Sequence, residues 1–427
     1  FILSKSVRNS LFLNNFSKQE LSYLYLATPI ITGFLVWIFL MIFKKVTLIN
    51  KSLFFHGLIC VISTFLLLNI SDTNILIYYI CVEFQIAIVA IIFWDVLSEC
   101  FTNRQAKRLF VIMTSGGFLS ALIIGSSLSY ITKYIPQESS VIIFNFLILI
   151  CPLFVYQLSH YSFKKEEQDK NIDESIEFFR DIFKNKYIFN IVLITFLFSI
   201  VSVIIDYNFK IILYEQFKND SVGLTNYFAR FYSIASFVSF IIQITVSGYI
   251  INRYGIKYAL MILPILLLCV FVSGYFVSSF IIILLLKGKE QIFKSTLHDT
   301  SMHILWMPIP SIKRLTIKPI INIILKNLFS ALAAGLLIVS VYYNLEFIHF
   351  IPIVCILLLI LILLTQRTQD FYVQELIKAI DDRSLTLDDE SSAFISDDSQ
   401  MLDIVKTKLI EEKNNRYFIL HLLDDSI

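Results

Sequence analysis

The chain has 427 residues, of which 57% are hydrophobic and only 16% are charged, with 40 Phe and a formal net charge of +2. Soluble domains carry about 25% charged residues, so this composition argues against a soluble enzyme or a nucleic-acid binder. It predicts an all-α, polytopic membrane protein.

About 20 mostly apolar residues cross a bilayer as a helix. Eleven such spans are predicted, at 23–43, 53–70, 74–98, 109–132, 139–159, 188–212, 224–250, 258–277, 279–300, 319–342 and 346–365. The ninth is the shortest in apolar content, because "SSFIIILLL" runs directly into "KGKEQIFKSTLHD". The connecting segments alternate in charge. Lys44, Lys45 and Lys51, then Arg104, Lys107 and Arg108, then the basic loop 160–187, then Arg253 and Lys257, then Lys313, Arg314 and Lys318 mark one side. The segments at "SDT", 277–279 and 343–345 carry no basic residue. The positive-inside rule puts the basic set, and the tail after residue 365, in the cytoplasm. The expected location is integral to a membrane.

An odd count places Phe1 on the outer side, or means that one N-terminal span is missing from this chain. Residues 1–22 show no signal-peptide pattern. With one span restored, 1–159 and 188–365 become two six-helix halves joined by the cytoplasmic loop 160–187. That is the plan of the major facilitator superfamily, which binds solute near the midplane between its halves. Within the loop, "DESIEFFRDIFKNKYIF" is amphipathic enough to lie on a membrane surface. Residues 366–427 change character. An acidic linker, "TLDDESSAFISDDSQ", precedes a helical pattern with Leu402, Val405, Leu409, Phe418, Leu420, Leu422 and Leu423. It reads as the start of a helical repeat array.

Ionisable residues inside spans are costly and mark function by default. The third span holds Glu83, with Asp95 and Glu99 nearer its cytoplasmic end. In the sixth, "IIDYNFK" places Asp206 and Lys210 four residues apart on one face. An internal ion pair and a solute-binding role are both open for them. The seventh carries Asn226, Arg230, Ser233, Ser236, Ser239 and Gln243 as a polar stripe, which must face another helix or a wet cavity. Lys287, Glu290 and Lys294 share a face of the ninth, beside Lys289. They either form a cationic wall suited to an anion or lie beyond a helix that ends near Leu286. The small residues of "TSGGFLSALIIGSSLS" permit close helix contact. The six cysteines lie in or beside apolar runs without metal-ligand spacing, and the histidines form no cluster. No phosphate-binding glycine loop, catalytic triad or zinc motif is present, so neither an enzyme nor a cofactor is predicted.

Taken together, "FWDVLSECFTNRQAKRLFVIMTSGGFLSALIIG", "IIDYNFK" and "KSTLHDTSMHILWMPIPSIKRLTIKPIINIILKNLFSALAAG" resemble the ATP:ADP antiporter family of obligate intracellular bacteria and plastids. They resemble more closely its bacterial relatives with a C-terminal HEAT-repeat domain. The resemblance runs from about residue 8 to the tail. It likens "RNSLFLNNFSKQELSYLYLATPIITGF" to the segment after the family's first helix. It implies that Asp206 and Lys210 match an acidic residue four before a lysine, with Asp replacing Glu. "KSTLHD" matches "KYSLFD", keeping Lys294 and Asp299. Lys326 stands for a later arginine, and Glu83 for an acidic residue upstream of "FW", one position out of register. The resulting expectation is a nucleotide antiporter-like transporter. Its substrate-binding residues would be Glu83, Asp206, Lys210, Arg230, Gln243, Lys287, Lys289, Lys294, Asp299 and Lys326. The expected partners are membrane lipid, a nucleotide or other organic anion, and proteins docked through the tail. The alternative expectation is a non-transporting membrane scaffold that holds partners through its repeats.

Overall fold

The computed structural model describes residues 2–43, 46–100, 103–132, 134–159, 185–218, 220–274, 279–306, 308–309, 317–318 and 320–381. The expected repeat array, most of the 160–187 loop, and the side chains of Asp95, Glu99 and Arg104 fall outside these residues. Every element among the described residues is helical.

The first half contains α1 (Ile2–Asn15), α2 (Lys18–Ile42), α3 (Leu48–Leu68), α4 (Asp72–Cys100), α5 (Asn103–Ile131), and α6 (Gln137–Ile148) with α7 (Cys151–Ser159). Local chemistry sets these boundaries. Ser17 and Glu20 form a capping box that starts α2, satisfying amides left free at a helix start. Pro152 lies just inside α7, where the missing N–H is tolerated. The second half contains α8 (Lys186–Gln216), α9 (Ser221–Ile242), α10 (Gly248–Ser273), α11 (Ser279–Phe293), α12 (Asp299–Ile304), α13 (Lys326–Tyr342) and α14 (Phe347–Asp381). The Asn185 side chain caps α8 by accepting from the amides of Tyr187 and Ile188. Gly255, at φ 84° and ψ 170°, breaks α10, a conformation open to glycine and strained for other residues. The helix is interrupted there, and Ser221–Ile251 and Arg253–Ser273 are separate candidate spans. Three π-helical turns, Gln243–Ser247, Lys294–His298 and Ile320–Leu325, widen helices of the second half.

Eight segments are long and apolar enough to cross a bilayer, among them Lys18–Ile42, Leu48–Leu68, Lys186–Gln216 and Phe347–Glu375. The expected ninth span is not one of them, because its lower half carries lysines. It nonetheless continues through α11, a π turn and α12 to Ile304. The reading that ends this helix near Leu286 is therefore excluded.

The sequence reading also missed α1. Residues 2–15 fall outside all eleven predicted spans, yet they form a helix buried from Leu3 to Leu13 except at Lys5. At 1.5 Å per residue α1 is about 21 Å long, against a hydrocarbon core of about 30 Å. It packs on α4, α5, α6, α8 and α9. With α1, each half has six helical segments.

The halves meet along two matching seams, α2 on α13 and α5 on α9. These pair the second segment of each half with the fifth of the other, as an approximate two-fold would. Gly125 allows the α5–α9 approach: a Cβ there would lie 2.8 Å from both the Ala229 carbonyl oxygen and the Ser233 Cβ. Ser233 donates across this seam to the Leu122 carbonyl at 2.8 Å, so the polar stripe of 221–247 does face another helix. At one end the seam is closed by polar contacts. Ser10 donates to the Ser221 carbonyl (2.8 Å), Gln137 to the Ser221 hydroxyl (3.0 Å), Thr225 to the Gln137 amide oxygen (2.6 Å) and Thr132 to Asn226 (3.1 Å). Lys18 and Glu215 pair at the same end. Helix α8 is the most enclosed, with 72% of its apolar stretch buried against 22–44% for the other long spans. Its polar residues must therefore find partners inside the protein.

Candidate functional site: a chain of buried ion pairs between the halves

Asp206 and Lys210 project from α8 into the centre of the bundle. Lys210 Nζ lies 2.9 Å from Asp206 Oδ2, as the i,i+4 spacing predicts. The pair is not isolated. Lys287 of α11 reaches Asp206 Oδ1 at 2.7 Å and also contacts Glu290 Oε2 at 2.7 Å. Glu290 accepts from Ser202 at 2.5 Å, and Lys294 Nζ lies 3.7 Å from its Oε1. Lys210, Lys287 and Glu290 are each buried. Asp206 and Glu290 thus each serve two lysines, and Lys287 serves two carboxylates.

The first half closes on this chain with aromatic hydroxyls. Tyr25 of α2 donates to Asp206. Lys210 donates to the hydroxyls of Tyr25 (2.8 Å) and Tyr79 of α4 (2.9 Å). On the other side of Tyr79, Arg8 of α1 lies over the ring at 4.1 Å and pairs with Glu83 at 2.8 Å. Lys5 of α1 sits 4.6 Å over the Tyr232 ring of α9. The line Glu83–Arg8–Tyr79–Lys210–Asp206–Lys287–Glu290–Lys294 therefore crosses from one half to the other. Its members come from the first and fourth segments of each half. It contains four cations against three carboxylates, and Lys5 adds a fifth cation beside it. Removing ions from water is expensive, and such a set persists only where each charge is matched by another or by a ligand.

The sequence-predicted residues fall into three groups. Asp206, Lys210, Lys287, Lys294 and Glu83 join this chain. Asp299 lies close by, paired with His298 at 3.4 Å and within electrostatic reach of Lys294 and Lys326. Gln243 is buried in the π turn that packs against the Lys294–His298 turn. Lys289 is half-buried one residue before Glu290, and no ion pair among the described residues includes it. Arg230 is exposed on α9, next to buried Ala229, and is not among the residues of the chain described above.

Sequence reasoning left out Lys5, Arg8, Tyr25 and Tyr79, and did not select Glu290. A signal existed for the first two, since "SKSVRNS" sets basic residues three apart on a helix too polar to register as a span. None existed for Tyr25 and Tyr79, whose shared partner Lys210 lies 185 and 131 positions away. The described residues hold no group of three metal-binding side chains.

No protein-family model matches the chain, and no curated protein matches it. Among solved structures it is similar to a bacterial homologue of the human lysosomal transporter Spinster, in an inward-facing and unoccupied conformation. The identity is 10%, the TM-score 0.52, and the match covers 89% of this chain and 95% of that one. At that identity the likeness speaks to fold. It supports neither the ATP:ADP antiporter family nor a HEAT-repeat domain. Among its described residues the chain is all-helical, with spans long and apolar enough to cross a membrane, and its fold is similar to that of a solved bacterial transporter.

Proposed function

We propose that the protein is a transporter that moves an organic anion by alternating access between its two halves. The observation that carries this reading is the chain of ion pairs joining α1 and α4 to α8 and α11. A static bundle has no need of charges there, because apolar residues of similar volume often stabilise as well or better. A solute carrier has a use for them, since pairs between halves can be exchanged for pairs with the solute. The excess of cations favours an anion. Several buried or half-buried lysines suit a polyphosphate, to which they supply charge-assisted hydrogen bonds. With the resemblance in "IIDYNFK" and "KSTLHD", this makes a nucleotide the solute class of choice. Lys294, with Lys287 or Lys289, would attract the anion. Asp206 would release Lys210 or Lys287 to it.

The polar closure at Ser10, Gln137 and Ser221 supports the mechanical part of the reading, because a state closed at one end needs a counterpart open at that end. Equilibrium binding of labelled ATP to the purified full chain tests the solute class. Saturable binding, competed by ADP and weakened at least tenfold by Lys294→Gln, is expected. Saturable binding that Lys294→Gln leaves unchanged, or no binding at all, would overturn the nucleotide reading.

A further inference from the structure

Beyond the ion pairs, α12 and the π turn before it hold a buried titratable group with no role in the chain described above. His298 is 6% exposed. Its ring stacks on Phe198 of α8 at 4.3 Å, with 23° between planes. Its Nδ1 lies 3.4 Å from Asp299 Oδ1, and its Nε2 is buried with no hydrogen-bond partner. Ser301 Oγ, three residues on and so on the same face, is also buried and unpartnered. So is Gln243 Oε1, on the π turn packed against the turn of His298. Buried polar atoms are normally satisfied, and each exception calls for a reason.

We propose that His298 is a proton-binding site coupled to anion binding, so that the protein takes up a proton together with its anion. This rests on the anion reading above. The argument is electrostatic. With Nδ1–H turned to the Asp299 carboxylate, a neutral ring leaves Nε2 a bare acceptor in a dry site. A proton on Nε2 makes it a donor and turns the contact with Asp299 into an ion pair. Two cations stand nearby. Lys294 lies one turn earlier on the same segment and 5.4 Å over the Phe198 ring on which His298 stacks. Lys326 of α13 lies within electrostatic reach of Lys294 and Asp299. Glu290 of α11 is already engaged by Lys287, Ser202 and Lys294. His303 of α12 lies within electrostatic reach of Asp299 and Lys326, and α8 offers the uncharged Phe198. An anion held by Lys294 and Lys326 cancels their repulsion of the imidazolium. Binding of the anion and of the proton then favour each other, and the coupling is reciprocal. Imidazole is suited to this because its charge ordinarily changes between about pH 5 and 8.

The test uses the purified full chain with ¹⁵N-labelled histidine, and ATP as the probe. The His298 resonances, assigned by their loss in His298→Gln, report the protonation state of the ring directly. ATP should shift them toward the protonated form. In weakly buffered solution ATP binding, read by its heat, should draw about one proton from the medium. Affinity should rise at least about fivefold from pH 8 to pH 5, the lower end of ordinary coupling. His298→Gln should lose both proton uptake and pH dependence. ATP heat without proton uptake in the parent protein overturns the coupling while leaving the anion reading intact. If ATP gives no heat, the nucleotide reading is what fails. The parent resonances then decide the proton site alone, and a ring that holds one protonation state across that range overturns it.

Discussion

Asp206 is the most connected charge in the bundle, so its removal is the sharpest perturbation. In the intact protein Lys210, Asp206, Lys287 and Glu290 form a neutral quartet with every charge in contact. Asp206→Asn leaves one positive charge in excess. Lys287 keeps Glu290, but Lys210 keeps only the hydroxyls of Tyr25 and Tyr79. An uncompensated buried charge typically costs about 3–5 kcal/mol. The two compensating variants differ in a way only this geometry predicts. Asp206→Asn with Lys210→Met restores neutrality and leaves Lys287–Glu290 intact, so most of the loss should return. Asp206→Asn with Lys287→Met is equally neutral on paper. It strands Lys210 at one end and leaves Glu290 with the Ser202 hydroxyl and, as its remaining ion pair, only the looser 3.7 Å contact to Lys294, so little should return. Denaturation of the detergent-purified variants provides the comparison. If both doubles recover stability equally, or Asp206→Asn costs less than about 1 kcal/mol, the quartet is wrong. The first double should fold yet lose ATP binding, because the exchangeable charge is gone.

The Arg8–Glu83 pair is asymmetric, with side-chain exposures of 1% and 37%. Glu83→Gln should therefore approach the cost of a buried orphan charge, about 3–5 kcal/mol. Arg8→Met should cost clearly less, because water can reach Glu83; the reverse order in unfolding measurements would place the pair wrongly. Gly125→Ala should destabilise by about 1–3 kcal/mol through overpacking against Ala229 and Ser233. Gly117→Ala, with open space at its Cβ, should be neutral or slightly stabilising from helix propensity. Equal effects at the two glycines would contradict the close α5–α9 seam. For orientation, single cysteines at 71–73 should react with impermeant label from outside. Cysteines placed within 160–184 or after 381 should react only from the cytoplasmic side, and labelling of those two regions from opposite faces would end the six-plus-six topology.

The sequence disclosed the fold well where its signal is apolar length. Each of the eleven predicted spans is matched by a helix or by consecutive helical segments, because a run of some 20 apolar residues has few other stable forms. It failed at α1 because a hydropathy window registers only apolar faces. Ser4, Ser6, Arg8, Asn9 and Ser10 are buried against protein rather than lipid. The ninth span was ambiguous for a related reason. Lys287 and Glu290 look like the end of a helix until their partners, Asp206 and Ser202 on α8, are known. The Asp206–Lys210 spacing was legible because it is local. That Asp206 also binds Lys287 and Tyr25 was not, since those contacts arise from the packing of distant segments. Arg230 shows a related limit: a stripe at helical spacing gives the period, but not that the residue at its margin is exposed.

Counterflow of labelled ATP into proteoliposomes containing the purified full chain addresses the anion-transporter reading most directly. Saturable uptake driven by unlabelled internal nucleotide is predicted, lost in Lys294→Gln and in Asp206→Asn with Lys210→Met, and retained in a protein changed at exposed Arg230. Uptake no greater than in empty vesicles, or uptake indifferent to Lys294 and Asp206, would contradict it.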